Sequence, residues 1–184
     1  MIIGWPQIFY RGPGIFTMIT HRQVHSVALL LAGLCLRKEV ARMVFAPGHP
    51  MLLTDRSGAT LSSGGDDEIC YRVLLAGYQL YYVPALVLQH FMEPHRLTPN
   101  YCQALQAGFK YQSEVISAYY RCRQVQLGKV KLLTQFAAYL LYSLLGRPKH
   151  KAQAAEFLYY RTGIAVLGKA HSKAIRNYFQ SVNT

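Results

Sequence analysis

Asp66, Asp67 and Glu68 stand side by side directly behind Gly64 and Gly65, in a stretch that reads LSSGGDDEICYR. Acids in that position can serve a helix start, because Asp and Glu offset the positive end of the helix dipole and Ser and Gly form entry turns. They can also do chemistry: a carboxylate kept ionised at a helix N-terminus can take a proton from an attacking hydroxyl. Downstream, His90 ends an apolar run and Arg96 precedes Leu97 and Thr98. Both are of the type that stabilises a departing anion. Each also has an ordinary use, His90 as a hydrogen-bonded structural histidine and Arg96 as a surface charge beside a helix. The tyrosines Tyr81, Tyr82 and Tyr101 read as packing residues more than as stacking faces for a ligand.

The elements that must position these residues follow from periodicity. Val27–Arg37 reads as a buried strand with a small-residue break at Ala32–Gly33, and KEVARMV as a short helix after it. From Asp66, the apolar residues Ile69, Val73 and Leu74 share a helical face, and Gly77 is placed to end that helix. YQLYYVP and ALVLQHF read as short strands separated at Pro84. Thr98 and Pro99 start a long helix that extends to about Arg123. Leu132–Leu145 is an apolar helix, and AQAAEFLYYRTGIAVLGKAHSKAIRNYF reads as one last amphipathic helix.

Composition bounds the rest. A chain of 184 residues with 52% hydrophobic content suits one domain with a real core. The formal charge of +12 is uneven: residues 1–107 carry 8 basic and 6 acidic side chains, residues 108–184 carry 12 and 2. The second part is therefore the one suited to an anionic partner. Cys35, Cys70, Cys102 and Cys122 form no CxxC pair, which points to reduced thiols in a cytosolic setting. The first residues lack the basic-then-apolar order of a secretory signal.

Taken in order, a small-residue strand ending in Arg37, an Arg-x-Gly at Arg56–Gly58, the acidic helix start, Ala76–Gly77–Tyr78, an aromatic-x-Pro at Tyr82–Pro84, His90 and Pro94–Thr98 form a spaced set. This set resembles the acceptor-side half of bacterial family 2 glycosyltransferases, inverting enzymes of the A-type nucleotide-sugar fold. The likeness runs from about Ala32 to Phe109. It implies an α/β fold: a partial A-type domain over residues 1–110, with a few short strands plus helices, followed by a basic α-helical membrane-contacting tail over 111–184. It places the catalytic base on Asp66, with Asp67 as the alternative because Gly65 stands where the family usually has Glu. Glu68 becomes the helix-opening acidic partner, Gly64 and Gly65 the close-approach positions for the acceptor sugar, and His90 and Arg96 the residues facing the diphosphate or acceptor, His90 also as a possible metal ligand. With the set in order, Asp66 reads as base rather than cap.

The family's nucleotide-binding half and its Asp-x-Asp metal motif have no counterpart here. Expected, then, are a truncated product or a subunit completed by a separate chain, and no activity alone. The complete enzyme would use a nucleotide sugar, a glycan or lipid-linked acceptor of cell-surface polysaccharide synthesis, and a divalent cation, Mg or Mn, that this chain alone does not bind. Fourteen residues from Leu132 to Leu145 fall short of the ~20 needed to span a bilayer. Their basic flanks and Tyr139 and Tyr142 suit an interfacial helix on anionic lipid. Peripheral attachment to the inner face of the plasma membrane is expected, without nucleic acid as a partner. The competing class is a non-catalytic basic module that binds membrane or nucleic acid.

Overall fold

The computed structural model describes residues 34–53, 64–80, 94, 98–164 and 170–183, with the side chains of 102 and 105–111 outside that description. Among these residues the regular structure is six helices: α1 (Lys38–Val44), α2 (Gly65–Leu75), α3 (Pro99–Gln126), α4 (Leu132–Leu144), α5 (Pro148–Thr162) and α6 (Ala170–Ser181).

This corrects the α/β expectation. The described residues are helical or irregular and contain no strand. Residues 27–33, 81–83 and 84–91 of the expected strands lie outside the described residues. Where those runs are described, the backbone groups are used otherwise. Arg37 is extended (φ −63°, ψ 145°) but serves as N-cap of α1, its carbonyl accepting from Ala41 N at 2.9 Å. Tyr78, the first residue of YQLYYVP, turns its N–H back to Val73 O at 3.2 Å, while Gly77 N donates to Leu74 O at 3.0 Å. With Gly77 at φ 84°, this pair of bonds closes the end of α2 as a Schellman motif. Among the described residues of these runs, Leu34, Leu36 and Leu80 pack against the α1–α2 cluster and form no ladder.

The other boundaries follow local chemistry. Thr98 Oγ1 accepts from Tyr101 N at 3.3 Å and Pro99 opens α3, which runs unbroken through position 110 to Gln126. The single last helix expected from periodicity is two helices. α5 stops because Thr162 Oγ1 bonds both Leu158 O (2.7 Å) and Ile164 N (3.2 Å), and Gly163 follows at φ 82°.

α2 is the centre of the packing. One side of it, with Tyr71 and Leu75, meets Val115, Ala118, Tyr119, Cys122 and Val125 of α3 and Ile175 and Tyr178 of α6. The other side, with Ile69 and Val73, meets Val40 and Val44 of α1. Tyr160 of α5 joins the larger cluster, so α5 and α6 belong to the core and are not a tail appended to it. A half-buried and a fully buried ion pair tie the helices together. Arg121 of α3 holds Glu156 of α5 through Nε and Nη2, and Ser172 Oγ of α6 reaches the same carboxylate at 3.3 Å.

The second pair is Glu68–Arg72, four residues apart on α2, with side chains 0% and 2% exposed and Nη2 to Oε1 at 2.9 Å. Glu68 accepts from Leu52 N (2.9 Å), Leu53 N (2.6 Å) and Tyr119 OH (2.7 Å). Arg72 donates to the carbonyls of Val44 (2.8 Å), His49 (2.6 Å) and Pro50 (2.6 Å), and lies over the Tyr178 ring at 4.9 Å. The irregular segment 45–53 is held in place by these bonds. Burial, then the Glu68 carboxylate, push the Tyr119 phenol well above its ordinary range, so it stays a donor.

Removing one member strands a buried charge, which costs ~3–5 kcal/mol. Glu68→Ala and Arg72→Ala are each expected to lower Tm by about 6–20 °C, at about 2–4 °C per kcal/mol for a chain of this size. Glu68→Met/Arg72→Met should cost less than the two single replacements summed. Circular dichroism melts check both statements. Additive losses would show that the pair is not a coupled unit.

Candidate functional site

The carboxylates of the first turn of α2 divide into two kinds. Glu68 points inward and is consumed by the ion pair just described. Asp66 and Asp67 are half-buried at the surface end of the same turn. The entry turn explains how. Gly64 is the N-cap, in a left-handed conformation (φ 101°, ψ 8°), and its carbonyl takes the first helical bond from Glu68 N at 3.0 Å. It supplies no side-chain cap. Asp66 Oδ1 instead accepts from Asp67 N at 3.1 Å, and Gln112 of α3 donates from Nε2 to Asp67 Oδ2 at 3.2 Å.

Gln112 is packed so closely on the turn that a Cβ at Gly64 would sit 2.6 Å from its Cγ. Gly64 is therefore fixed twice, by its φ and by the space Gln112 occupies. Gly65 is buried as the first helical residue. The close approach that glycine permits at position 64 is used by Gln112.

The two aspartates also set the local electrostatics. Burial first, then the charges of Asp67 and Asp66, push the Cys70 thiol up to about 12. Burial, followed by Asp67, likewise raises the Tyr71 phenol. Cys122, on the far side of the core, is pushed up to about 12 by burial. The thiol and phenol next to the turn, Cys70 and Tyr71, therefore stay protonated at neutral pH.

Of the residues singled out by sequence, Gly64, Gly65, Asp66, Asp67 and Glu68 are brought together here. His90 and Arg96 lie outside the described residues, as do Tyr81 and Tyr82. Among the described residues no group of three or more His, Cys, Asp or Glu side chains is placed to hold a metal ion. Asp66 and Asp67 do not by themselves fit the divalent cation that the family resemblance implies. Residues missed from the sequence are Arg72, Gln112 and Tyr119. The spacing of Glu68 and Arg72 at i and i+4 was a usable signal for the first. Gln112 and Tyr119, 45 and 51 residues from their acidic partners, gave none.

No protein-family model matches the chain, and no curated protein or solved structure matches it either.

Two outcomes are expected of this turn. Gly64→Ala combines a left-handed backbone with a steric clash and should cost about 1–3 kcal/mol. Adding Gln112→Ala should recover only the steric part, leaving the backbone strain. Urea unfolding of the single and double variants measures this, and full recovery would put the whole cost in the clash. Alkylation at pH 8 should reach the exposed Cys35 in the folded protein but Cys70 and Cys122 only after unfolding. Because those two thiols ionise near 8.5 when unfolded but near 12 when folded, the unfolded chain binds fewer protons in that window. Stability should fall as pH rises from about 8.5 towards 12.

Proposed function

We propose that this chain supplies the acceptor-side, base-carrying part of an inverting nucleotide-sugar glycosyltransferase. The observation that carries the reading is the first turn of α2, where two half-buried aspartates sit on a helix end anchored by a buried ion pair. A general base needs to be reachable and held in one place. Glu68 is held but enclosed, whereas Asp66 is both held and reachable. In the proposed step, Asp66 takes the proton of an acceptor hydroxyl while that oxygen attacks the anomeric carbon. The bond from that carbon to the diphosphate oxygen breaks, and the nucleoside diphosphate leaves on the opposite face. The positive end of α2 favours the ionised form of the base. The nucleotide-binding half, with whatever cation it carries, would come from a separate chain or another segment. Asp67 remains the alternative base, although the Gln112 contact gives it a positioning bond already.

The reading includes a place of work. No helix among the described residues is long and apolar enough to cross a membrane. Attachment to the inner face of the plasma membrane from the side, through basic and apolar surface in the C-terminal part, suits a lipid-linked or growing glycan acceptor. The same surface is what would support the second reading, a non-catalytic membrane-binding module. Exposed apolar residues beside the basic ones favour lipid over nucleic acid, whose phosphates would leave those residues uncovered.

In an enzyme assembled with its nucleotide-binding half, Asp66→Asn is expected to lower sugar transfer by about 10²–10⁴-fold, the usual contribution of a general base. The melting temperature should barely move, because Asn keeps the shape and most of the capping ability. Loss in Asp67→Asn with activity kept in Asp66→Asn would move the base by one residue. Activity in both variants would sink the glycosyltransferase assignment and leave the membrane-binding module.

A further inference from the structure

α4 is set apart from the other helices. α1, α2, α3, α5 and α6 each place residues in the buried core, and α4 places none. It packs on α5 and makes no substantial contact with any other described helix. Its two faces differ. Gln135, Ala138, Tyr139 and Tyr142 are half-buried towards α5, with the Tyr142 ring 5.2 Å from that of His150 and Lys151 Nζ 5.6 Å from the Tyr139 ring. Leu133, Phe136, Leu140 and Leu144 follow one another at steps of three, four and four, and so line the opposite face. All four are exposed, Leu133 by 82% and Leu144 by 86%.

Charge identifies what covers this stripe. Exposed Lys129 and Lys131 stand at one end of α4, and exposed Arg147 and Lys149 at the other. No acidic residue occurs between Glu114 and Glu156. Glu156 is buried on Arg121, so it does not neutralise the hairpin surface. A second copy of this chain would bring like charges together at both ends of the stripe. An anionic bilayer offers hydrocarbon for the stripe and headgroup charge for both ends.

We propose that the α4–α5 hairpin is the membrane-inserting device of this protein, with α4 lying in the plane of an anionic bilayer surface. The stripe from Leu133 to Leu144 enters the acyl boundary, and the flanking lysines and Arg147 stay among the headgroups. This rests on the membrane-surface part of the function proposed above and narrows it. α5 and α6 place their large apolar residues in the core, so they hold α4 in place without entering lipid.

The test is flotation of the full chain with phosphatidylcholine vesicles, with and without phosphatidylserine. Leu133→Glu/Leu144→Glu is expected to weaken binding to the anionic vesicles by about ten-fold or more, since both apolar residues and local charge are lost. Phe45→Glu/Ile164→Glu changes net charge equally at exposed apolar positions outside the stripe and should change binding far less. Both pairs are exposed, so far-UV circular dichroism should be unchanged. Vesicles should slow amide hydrogen exchange in α4 and leave α6 unaffected. If the wild-type chain fails to bind anionic vesicles, the membrane reading falls with the hairpin. If it binds and the α4 pair binds equally, only the hairpin assignment is overturned. Equal wild-type binding to neutral vesicles overturns the role of the basic flanks. A dimer in sedimentation that the α4 pair dissolves would make the stripe a self-association surface and overturn the proposal.

Discussion

A single guanidinium–carboxylate contact organises this molecule. The segment from Phe45 to Leu53 has no regular structure, yet it lies against the core with backbone groups that must find partners. Glu68 takes two of its N–H groups, and Arg72 takes two of its carbonyls together with that of Val44 at the end of α1. The cost of burying two charges is offset by this use of nearly every donor and lone pair, a condition that buried pairs must meet to be tolerated. Because Glu68 lies one residue beyond the aspartates, anchoring it also fixes the orientation of the turn that carries Asp66 and Asp67.

Helix starts and stops were the legible part of the sequence. KEVARMV, the Thr98–Pro99 start, the Gly77 stop and the apolar helix from Leu132 each depend on chemistry within a few residues, and each stands where that chemistry puts it. The strand readings rested on apolar and aromatic content, which does not by itself define a strand, and most of the residues concerned lie outside the described ones. At Tyr78 the deciding fact was a backbone bond back to Val73, set by the left-handed Gly77. The break at Gly163 was hidden because apolar residues continue the helical spacing across it, and the Thr162 side-chain bonds that stop α5 leave no pattern.

The site was legible in its residues but not in its division of labour. Three adjacent acids look alike in a string of letters. Helical rotation separates them: Glu68 falls on the face towards Tyr119, and Asp66 and Asp67 remain near the surface. Sorting them from sequence required knowing that Tyr119 and Gln112 lie across from α2, and that knowledge belongs to tertiary packing. The same sorting puts Glu68 of α2 and Glu156 of α5 inside, each against an arginine.

The end of α2 carries a consequence for how the chain is made. The Leu75 carbonyl accepts from Gln126 Nε2 at 2.7 Å and from Asn183 Nδ2 at 3.1 Å, and Tyr178 OH bonds the Arg72 carbonyl from 106 residues away. Contacts of such separation form late, after much loop entropy has been lost. During synthesis from the N-terminus, α2 is complete as a sequence long before α6 has emerged to cover it. Until then its core face, with Tyr71, Leu75 and the Arg72 guanidinium, awaits its last partner. The C-terminal end of α2 thus receives its last partners from residues translated about a hundred positions later.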